Sequence, residues 1–237
     1  MNEVRAIAVI VPVHDEEELL ARCLSAIDAA RERVAMTVAV IVVLDACTDR
    51  SAEIAAVHAV QTVVIDARNV GRARAAGVAA ASELFRELPP EQWWTAHTDA
   101  DSVVPPNWLQ HQLDLAHHGA DVVVGTVRPD FADLTAPQRA AWLARHVPGV
   151  ANGHVHGANL GMRADTLLTA GGFPPLAEHE DVALVDRARA LGARVVASDA
   201  AGVHTSGRQH GRTPGGYARY LRDDLVTSGG SAPPDAA

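Results

Sequence analysis

The sequence predicts an α/β fold in which a mostly parallel central sheet is flanked by helices. Two observations lead to this prediction. Continuous apolar runs, typical of strands buried on both faces, recur through the first half of the chain. Stretches with apolar residues at helical spacing separate these runs, and such connections form right-handed crossovers between parallel strands. The predicted strands are residues 6–11, 37–44, 61–65, 93–98 and 121–127.

The predicted helices fill the gaps between the strands and continue into the second half. The first of them shows the pattern most clearly, with Leu20, Cys23, Leu24 and Ile27 on one face. We find no internal repeat and no linker, so a single domain is expected. The predicted helices are residues 15–30, 48–58, 72–88, 105–118, 135–147 and 180–191, and a late strand is expected at 194–198.

Composition excludes several classes of protein. The 237-residue chain has a formal net charge of −9, which argues against a general nucleic-acid binder. All 20 basic residues are arginine, which excludes a P-loop lysine and a lysine Schiff base. Cys23 and Cys47 are too few for a disulfide framework, and a reducing cytoplasm is expected. The longest apolar run, residues 38–44, is far shorter than the ~20 residues that span a bilayer, so no transmembrane segment is expected.

Acidic residues follow two of the predicted strands. Ligands of parallel sheets bind at the carboxyl ends of the strands, so these residues are expected to share one edge. Asp45 ends the second strand and could accept hydrogen bonds from a base or a ribose. Asp99 and Asp101 follow the fourth strand, and two such close carboxylates are costly unless a cation neutralises them. A divalent cation carrying a substrate diphosphate would meet that need.

Four further residues, two of them a neighbouring pair, are open to two interpretations. Arg74 either contacts a ligand or is a solvated surface residue of a helix. His204 is either a third metal ligand or one of twelve histidines with no special role. Glu180 and Asp181 either supply a catalytic carboxylate or are simply the acidic start of a helix, where they favour the dipole.

The motifs are more specific as an ordered set than singly. The chain carries VPVHDEE at 11–17, LDACTD at 44–49, NVGRAR at 69–74, DAD at 99–101, GGF at 171–173 and ED at 180–181. In this order they resemble family 2 glycosyltransferases of the GT-A fold, over roughly residues 6–210. The resemblance implies a nucleotide-diphosphate sugar donor, an acceptor of unknown identity and a divalent metal, manganese or magnesium.

The resemblance also implies roles for individual residues. Asp181 would be the catalytic base of an inverting transfer, and Asp101 and His204 would bind the metal. Donor binding would fall to Pro12, Glu16, Asp45, Arg74, Asp99 and Arg208, and the acceptor or sugar pocket to Gly157, Asn159 and Glu180.

The implied domain covers residues 1–225, with a nucleotide-binding half at about 1–127 and an acceptor half at about 128–225. Residues 226–237 have the composition of a disordered tail. Two other functions stay open, a nucleotidyltransferase on a related sheet and a non-catalytic protein that binds nucleotide sugars. The acidic HDEE segment after the first strand disfavours a nucleotidyltransferase, which would normally have a glycine-rich loop with a basic residue there.

Overall fold

The computed structural model describes residues 3–211 and 215–227. Within these ranges eight strands form one sheet. They are β1 (Ala6–Val13), β2 (Thr37–Asp45), β3 (Gln61–Ile65), β4 (Trp93–His97), β5 (Ser102–Val103), β6 (Val122–Pro129), β7 (Leu160–Arg163) and β8 (Val195–Thr205). Their order across the sheet is β3-β2-β1-β4-β7-β6-β8-β5.

Helices cover both faces of the sheet. They are α1 (Leu20–Arg31), α2 (Ser51–Ala56), α3 (Val70–Leu84), α4 (Trp108–His117), α5 (Ala136–Arg145), α6 (Ala164–Thr169), α7 (Glu180–Ala190), α8 (Tyr217–Arg219) and α9 (Leu225–Thr227). A π-helical turn, Tyr220–Asp224, joins the last two, and short 3₁₀ turns lie at Pro90–Gln92, Phe131–Asp133 and Gly157–Asn159. Among the helices of the described ranges, none combines the length and the apolar character needed to cross a membrane.

The sheet is parallel in its first half and mixed in its second. β1 pairs in parallel with β2 and β4, and β2 pairs in parallel with β3, as the sequence predicts. β7 then enters antiparallel between β4 and β6, and β5 pairs antiparallel with β8. β6 and β8 pair in parallel, so four of the seven strand pairings in the described residues are parallel and the prediction of a mostly parallel sheet is confirmed. β7 has four residues, one of them glycine, and gives no apolar run that a sequence pattern could detect.

Helix α3 is held against the sheet by close packing. A Cβ at Gly77 would lie 2.5 Å from Cγ2 of Ile10 in β1 and 3.2 Å from Val43 in β2. Glycine therefore lets the helix approach the strands more closely than any other residue would. This approach fixes the N-terminal turns of α3 beside the carboxyl ends of β1 and β2.

Several predicted boundaries differ from the structure. The first helix begins at Leu20 rather than Asp15, because residues 15–17 hydrogen-bond across to the loop after β2. The late strand extends to Thr205 instead of ending at 198. Of the expected disordered tail, residues 226–227 belong to α9, and residues 228–237 lie outside the described residues.

Candidate active site

A cavity of about 370 Å³ opens at the carboxyl ends of β1, β2 and β4. Ten of the twelve residues predicted for the site line it, and they come from both halves of the chain. These ten are Pro12, Glu16, Asp45, Arg74, Asp99, Asp101, Gly157, Glu180, Asp181 and Arg208. The two exceptions are Asn159 and His204.

Tight backbone turns surround the cavity. In the described part of the chain, the non-glycine residues with positive φ are Asp15 (51°), Ala46 (51°), Arg68 (47°) and His179 (61°). Arg68 and His179 line the cavity, and the other two adjoin lining residues. Left-handed backbone costs about 1–3 kcal/mol at such residues and persists where other contacts hold it. At Asp15 those contacts are hydrogen bonds that its carboxylate accepts from the backbone N–H groups of Thr48 and Asp49.

The carboxylate of Asp45 accepts hydrogen bonds from the backbone of a neighbouring loop. Its Oδ1 accepts hydrogen bonds from the N–H groups of Ala67 (2.7 Å) and Arg68 (2.8 Å). Its Oδ2 accepts one from the N–H of Asn69 (2.8 Å). The carboxylate therefore shapes the loop between β3 and α3 at the cavity edge. A direct contact of Asp45 with a base remains a prediction.

Arg208 bridges the buried carboxylate of Glu16 and the partly buried carboxylate of Asp101. Its guanidinium donates to both carboxylate oxygens of Glu16, at 2.7 and 3.0 Å, and lies 2.8 Å from Oδ2 of Asp101. Burial raises the pKa of Asp101 to about 6, Arg208 opposes that rise, and Asp99 and Glu16 add to it. The single guanidinium thus compensates only part of the negative charge. Buried carboxylate oxygens with excess negative charge fit a hard divalent cation such as Mn²⁺ or Mg²⁺.

Arg74 joins Asp99, which follows β4, to the start of α7. It is 2% exposed, its Nη2 lies 2.6 Å from Oδ1 of Asp99, and its Nε lies 3.0 Å from Oε1 of Glu180. Burial alone would lower the pKa of Arg74, but the carboxylates of Asp99, Glu180 and Asp181 outweigh it and the pKa is raised. Two of the three guanidinium nitrogens are therefore occupied by carboxylates rather than left for a ligand.

Asp181 is a buried carboxylate at the first turn of α7. It is 3% exposed, and its Oδ1 accepts a hydrogen bond from the N–H of Val182 (2.8 Å). Burial raises the pKa of Asp181 to about 7, and Glu180 raises it further while Arg74 opposes. A pKa near the working pH is what a general base requires. Perturbed carboxyls of this kind cluster at functional sites.

Gly157 leaves room between Arg74 and Asp181. A Cβ at this position would overlap the guanidinium of Arg74 and would lie 3.2 Å from Oδ2 of Asp181. Only glycine fits this close approach. Gly157 lines the cavity wall, and its role in an acceptor or sugar pocket stays a prediction.

Asn159 does not belong to the pocket. It is 2% exposed, and its side chain donates to the carbonyl oxygens of Thr126 (2.9 Å) and Ala201 (3.0 Å). Its Oδ1 accepts from Nε1 of Trp108 (2.9 Å). The side chain ties three elements together and leaves no group for a ligand, so the predicted pocket role is replaced by a structural one.

His204 lies outside the 370 Å³ cavity. Its side chain is exposed and lines a second cavity of about 940 Å³, which Asp101 also borders. Burial lowers the pKa of His204, and Arg128 and Arg22 lower it further, against Asp130. Two nearby arginines disfavour a divalent cation at this imidazole. We therefore do not retain His204 as a metal ligand.

Replacing His204 by alanine is expected to leave metal binding unchanged. The physical reason is that the imidazole faces Arg128 and belongs to a different cavity wall from Asp99. The measurement is a Mn²⁺ titration of nucleoside-diphosphate affinity, with the exposed His117→Ala as control. A loss of metal affinity confined to His204→Ala would restore the ligand role.

One group of side chains in the described residues is compact enough for a metal. Ligand atoms of Asp15, Cys47 and Asp49 lie within 4.8 Å of one another. Both carboxylates already accept backbone hydrogen bonds, Asp15 from Thr48 and Asp49 from Glu17 and Ser51. These bonds join the loops after β1 and β2, and they account for the cluster without an ion.

The sequence analysis missed some cavity residues. Arg68, His179 and Tyr217 line the cavity but carry no predicted role. His179 directly precedes the predicted Glu180–Asp181 pair, and Arg68 precedes the NVGRAR motif, so both could have been found by proximity. Tyr217 lies far from every motif in the sequence and gives no such signal.

The fold and the cavity define an α/β protein with a ligand site at the carboxyl ends of its strands. The model of the family described as Glycosyl transferase family 2 matches residues 8–166, more than half of the chain. The chain therefore belongs to this family. No curated protein matches the sequence at a significant level.

Solved structures with the same fold are GT-A glycosyltransferases. S. aureus TarS 1–349 in complex with UDP-GlcNAc is 16% identical with a TM-score of 0.65, over 90% of this chain and 61% of TarS. The mannosyltransferase PcManGT from Pyrobaculum calidifontis, in complex with GDP-Man and Mn²⁺, is 20% identical with a TM-score of 0.63, over 90% of this chain and 59% of that one.

A third similar structure is a complex with both a nucleotide and phosphoglyceric acid. Glucosyl-3-phosphoglycerate synthase from Mycobacterium tuberculosis, in complex with Mn²⁺, UDP and phosphoglyceric acid, is 20% identical with a TM-score of 0.54. The match covers 81% of this chain and 67% of that one. The chain spans less than two thirds of TarS and of PcManGT, and at these identities the likeness shows the fold alone.

Proposed function

We propose that the protein is a metal-dependent glycosyltransferase that moves a sugar from a nucleoside-diphosphate sugar to an acceptor hydroxyl with inversion. The observation that carries this proposal is one cavity that holds Asp99, Asp101 and the buried Asp181 together. Family membership supports it, as do structural neighbours solved with UDP-GlcNAc, GDP-Man and Mn²⁺. In this proposal residues 1–127 hold most of the donor and residues 128–225 most of the acceptor.

The donor would lie along the carboxyl ends of β1, β2 and β4. Pro12 and the Asp45-anchored loop would border the nucleoside, and Asp99 would face the ribose. Glu16 would hold Arg208 at the cavity edge through their two-point ion pair. Arg208 would then be placed to donate to the diphosphate.

The carboxylates of Asp101 and Asp99 would hold a divalent metal. When bound, Mn²⁺ or Mg²⁺ supplies charge stabilisation to a departing diphosphate. Asp101 lies beside Asp99 and Glu16, and a cation would neutralise part of this negative charge; burial raises the pKa of Asp101 to about 6, so the carboxylate is still mostly ionised at pH 7.

Asp181 would act as the general base. Its ionised carboxylate takes the proton of the acceptor hydroxyl while that oxygen forms a bond to the anomeric carbon. The bond between the anomeric carbon and the diphosphate oxygen breaks, and the nucleoside diphosphate leaves with its electron pair. Glu180 and Arg74 hold the start of α7 so that Asp181 stays beside Gly157.

The test compares nucleotide binding with turnover. Thermal unfolding is measured with UDP and GDP, each with and without Mn²⁺, because binding stabilises by RT ln(1 + [L]/Kd), about 2.7 kcal/mol at a hundredfold excess over Kd. We expect metal-dependent stabilisation by at least one diphosphate and slow release of that diphosphate from its sugar donor with water as acceptor. Binding without any release would indicate a non-catalytic protein. Release of pyrophosphate from a nucleoside triphosphate and a sugar phosphate would indicate a nucleotidyltransferase.

Replacing Asp101 by asparagine is expected to remove the Mn²⁺-dependent part of diphosphate binding. The substitution keeps the side-chain size but deletes the charge that a cation needs. The measurement is diphosphate affinity across a Mn²⁺ titration, with the exposed Asp114→Asn as control. An unchanged metal dependence in Asp101→Asn would contradict the assignment.

We also propose that the protein is located in the cytoplasm. This proposal rests on the two cysteines of the chain, Cys23 and Cys47, which form no disulfide.

A further inference from the structure

Aromatic side chains line one end of the cavity. His156 and Tyr217 line this end, and their ring centroids are 6.0 Å apart. Tyr217 stacks on Tyr220 at 5.8 Å, and its hydroxyl accepts a hydrogen bond from Nε1 of Trp142 at 3.1 Å. These contacts fix the tyrosine ring as a rigid part of the wall.

His156 presents unused hydrogen-bonding groups to this end. Its side chain lines the cavity and is 9% exposed, yet neither ring nitrogen hydrogen-bonds to another residue in the described ranges. Burial lowers the pKa of His156 to about 3, and His154 and His146 lower it too, so the ring is neutral at pH 7. A neutral imidazole offers one donor and one acceptor, so each ring nitrogen can pair with a group of a ligand.

The aromatic end adjoins the proposed base. Gly157 follows His156 directly, and a Cβ at Gly157 would lie 3.2 Å from Oδ2 of Asp181. The guanidinium of Arg74 fills the space beside Gly157, and His156, Gly157 and Asp181 line the same cavity. An acceptor in this cavity that reaches Asp181 would therefore lie near the His156 ring.

Charge selects the class of acceptor. Glu178, Glu180 and Asp181 lie on the cavity wall at the start of α7, and all three are acidic. Of the arginines among the described lining residues, Arg74 and Arg208 are paired with carboxylates. The third, Arg68, lies on the loop that Asp45 holds at the nucleoside end. An anionic acceptor would meet repulsion here, whereas a neutral one would not.

We propose that His156, Gly157 and Tyr217 form the acceptor subsite. This subsite binds an uncharged sugar ring, such as that of a glycoside, in preference to a phosphorylated acid. The apolar C–H face of the sugar packs on the Tyr217 ring, and a hydroxyl of the sugar pairs with His156. This inference rests on the proposed function. It sets the protein apart from its structural neighbour that binds phosphoglyceric acid.

The experiment is saturation-transfer NMR on the full chain, with and without UDP or GDP and Mg²⁺. The probes are methyl α-D-glucopyranoside, methyl α-D-mannopyranoside, methyl β-D-galactopyranoside and 3-phosphoglycerate. We expect at least one glycoside to bind more tightly than 3-phosphoglycerate. His156→Phe keeps the ring volume but removes both nitrogens, and it should weaken that glycoside about fivefold or more while nucleotide affinity stays unchanged. The control is His154→Phe, which alters a partly exposed neighbour that does not line the cavity.

The outcomes separate the two proposals. Tighter binding of 3-phosphoglycerate than of every glycoside would overturn the inference, as would no glycoside binding or equal binding by His156→Phe and the wild type. Failure of both nucleotides to bind would instead count against the proposed function, and the glycoside measurements without nucleotide would still judge the subsite.

Discussion

Replacing Asp181 by asparagine is expected to reduce sugar transfer by ~10²–10⁴-fold, the usual effect of losing a general base. Asparagine keeps the size of the side chain but cannot accept the proton of the acceptor. Donor affinity should stay nearly unchanged because, in the proposed function, the nucleotide would lie along β1, β2 and β4. The measurements are donor Kd and single-turnover release of nucleoside diphosphate, made on one preparation. Asp186→Asn, an exposed position on the same helix, is the control.

The pH dependence follows from the raised pKa of Asp181. The base works in its ionised form, so the rate of the wild type should rise with pH through about 7, the pKa that burial gives this group, and level off above it. Near-wild-type transfer by Asp181→Asn would refute the assignment. In that case a retaining mechanism or another base would be required.

The same group links stability to pH. The ordinary pKa of an aspartate is 3.8, whereas that of Asp181 in the folded chain is about 7, so the folded state binds more protons between these values. Stability contributed by this group is therefore lost as pH rises through about 7. Asparagine does not ionise, so it avoids this loss of stability. The free energy of unfolding of Asp181→Asn should therefore exceed that of the wild type by on the order of 1–3 kcal/mol between about pH 5 and pH 8. A catalytic carboxylate held at a cost to stability would behave in this way.

The sequence predicted the first half of the sheet because each of its strands is a continuous apolar run. The positions of Asp45, Asp99 and Asp101 at one edge followed from the parallel order alone. The second half could not be derived in this way, since β5 and β7 have only two and four residues. Their pairing depends on packing between segments that are distant in the chain.

The predictions for His204 and Asn159 failed for a related reason. The pairing of β6 with β8 shifts register between Gly125 and Val127. A shift of one residue moves a side chain to the other face of a sheet, so residue type and order cannot tell which face His204 takes. Asn159 follows a loop and joins Trp108, Thr126 and Ala201, and none of these partners is near it in sequence.

Arg74 was open to two interpretations in the sequence, a ligand contact or a solvated surface residue. The structure excludes the surface residue, since Arg74 is 2% exposed, and the ligand contact stays a prediction, since Nη1 is buried without a partner among the described residues. Its partner Glu180 lies 106 positions further along the chain, beyond the reach of any local pattern. The guanidinium ties the Asp99 segment of the donor site to the helix that carries Asp181. We therefore propose that Arg74 is a positioning residue of the reaction.

Replacing Arg74 by methionine is expected to lower the free energy of unfolding by about 3–5 kcal/mol, the typical cost of leaving a buried charge without its partner. Arg72→Met is the matched control, because Arg72 is exposed on the same helix two positions earlier. Adding Glu180→Gln to Arg74→Met should recover part of the loss, since it removes one of the carboxylates left unpaired.

The pH dependence of activity distinguishes a positioning role of Arg74 from a purely structural one, because a purely structural role would not shift the pH–rate profile. Arg74 opposes the rise of the Asp181 pKa, so its removal should shift the acidic limb of the pH–rate profile above about 7. Arg74→Lys keeps the charge but loses the two-point geometry, and it should fall between the wild type and Arg74→Met in both stability and pH profile. An Arg74→Met protein with wild-type stability and an unshifted acidic limb would show that the buried pairs with Asp99 and Glu180 neither hold α7 nor tune the base.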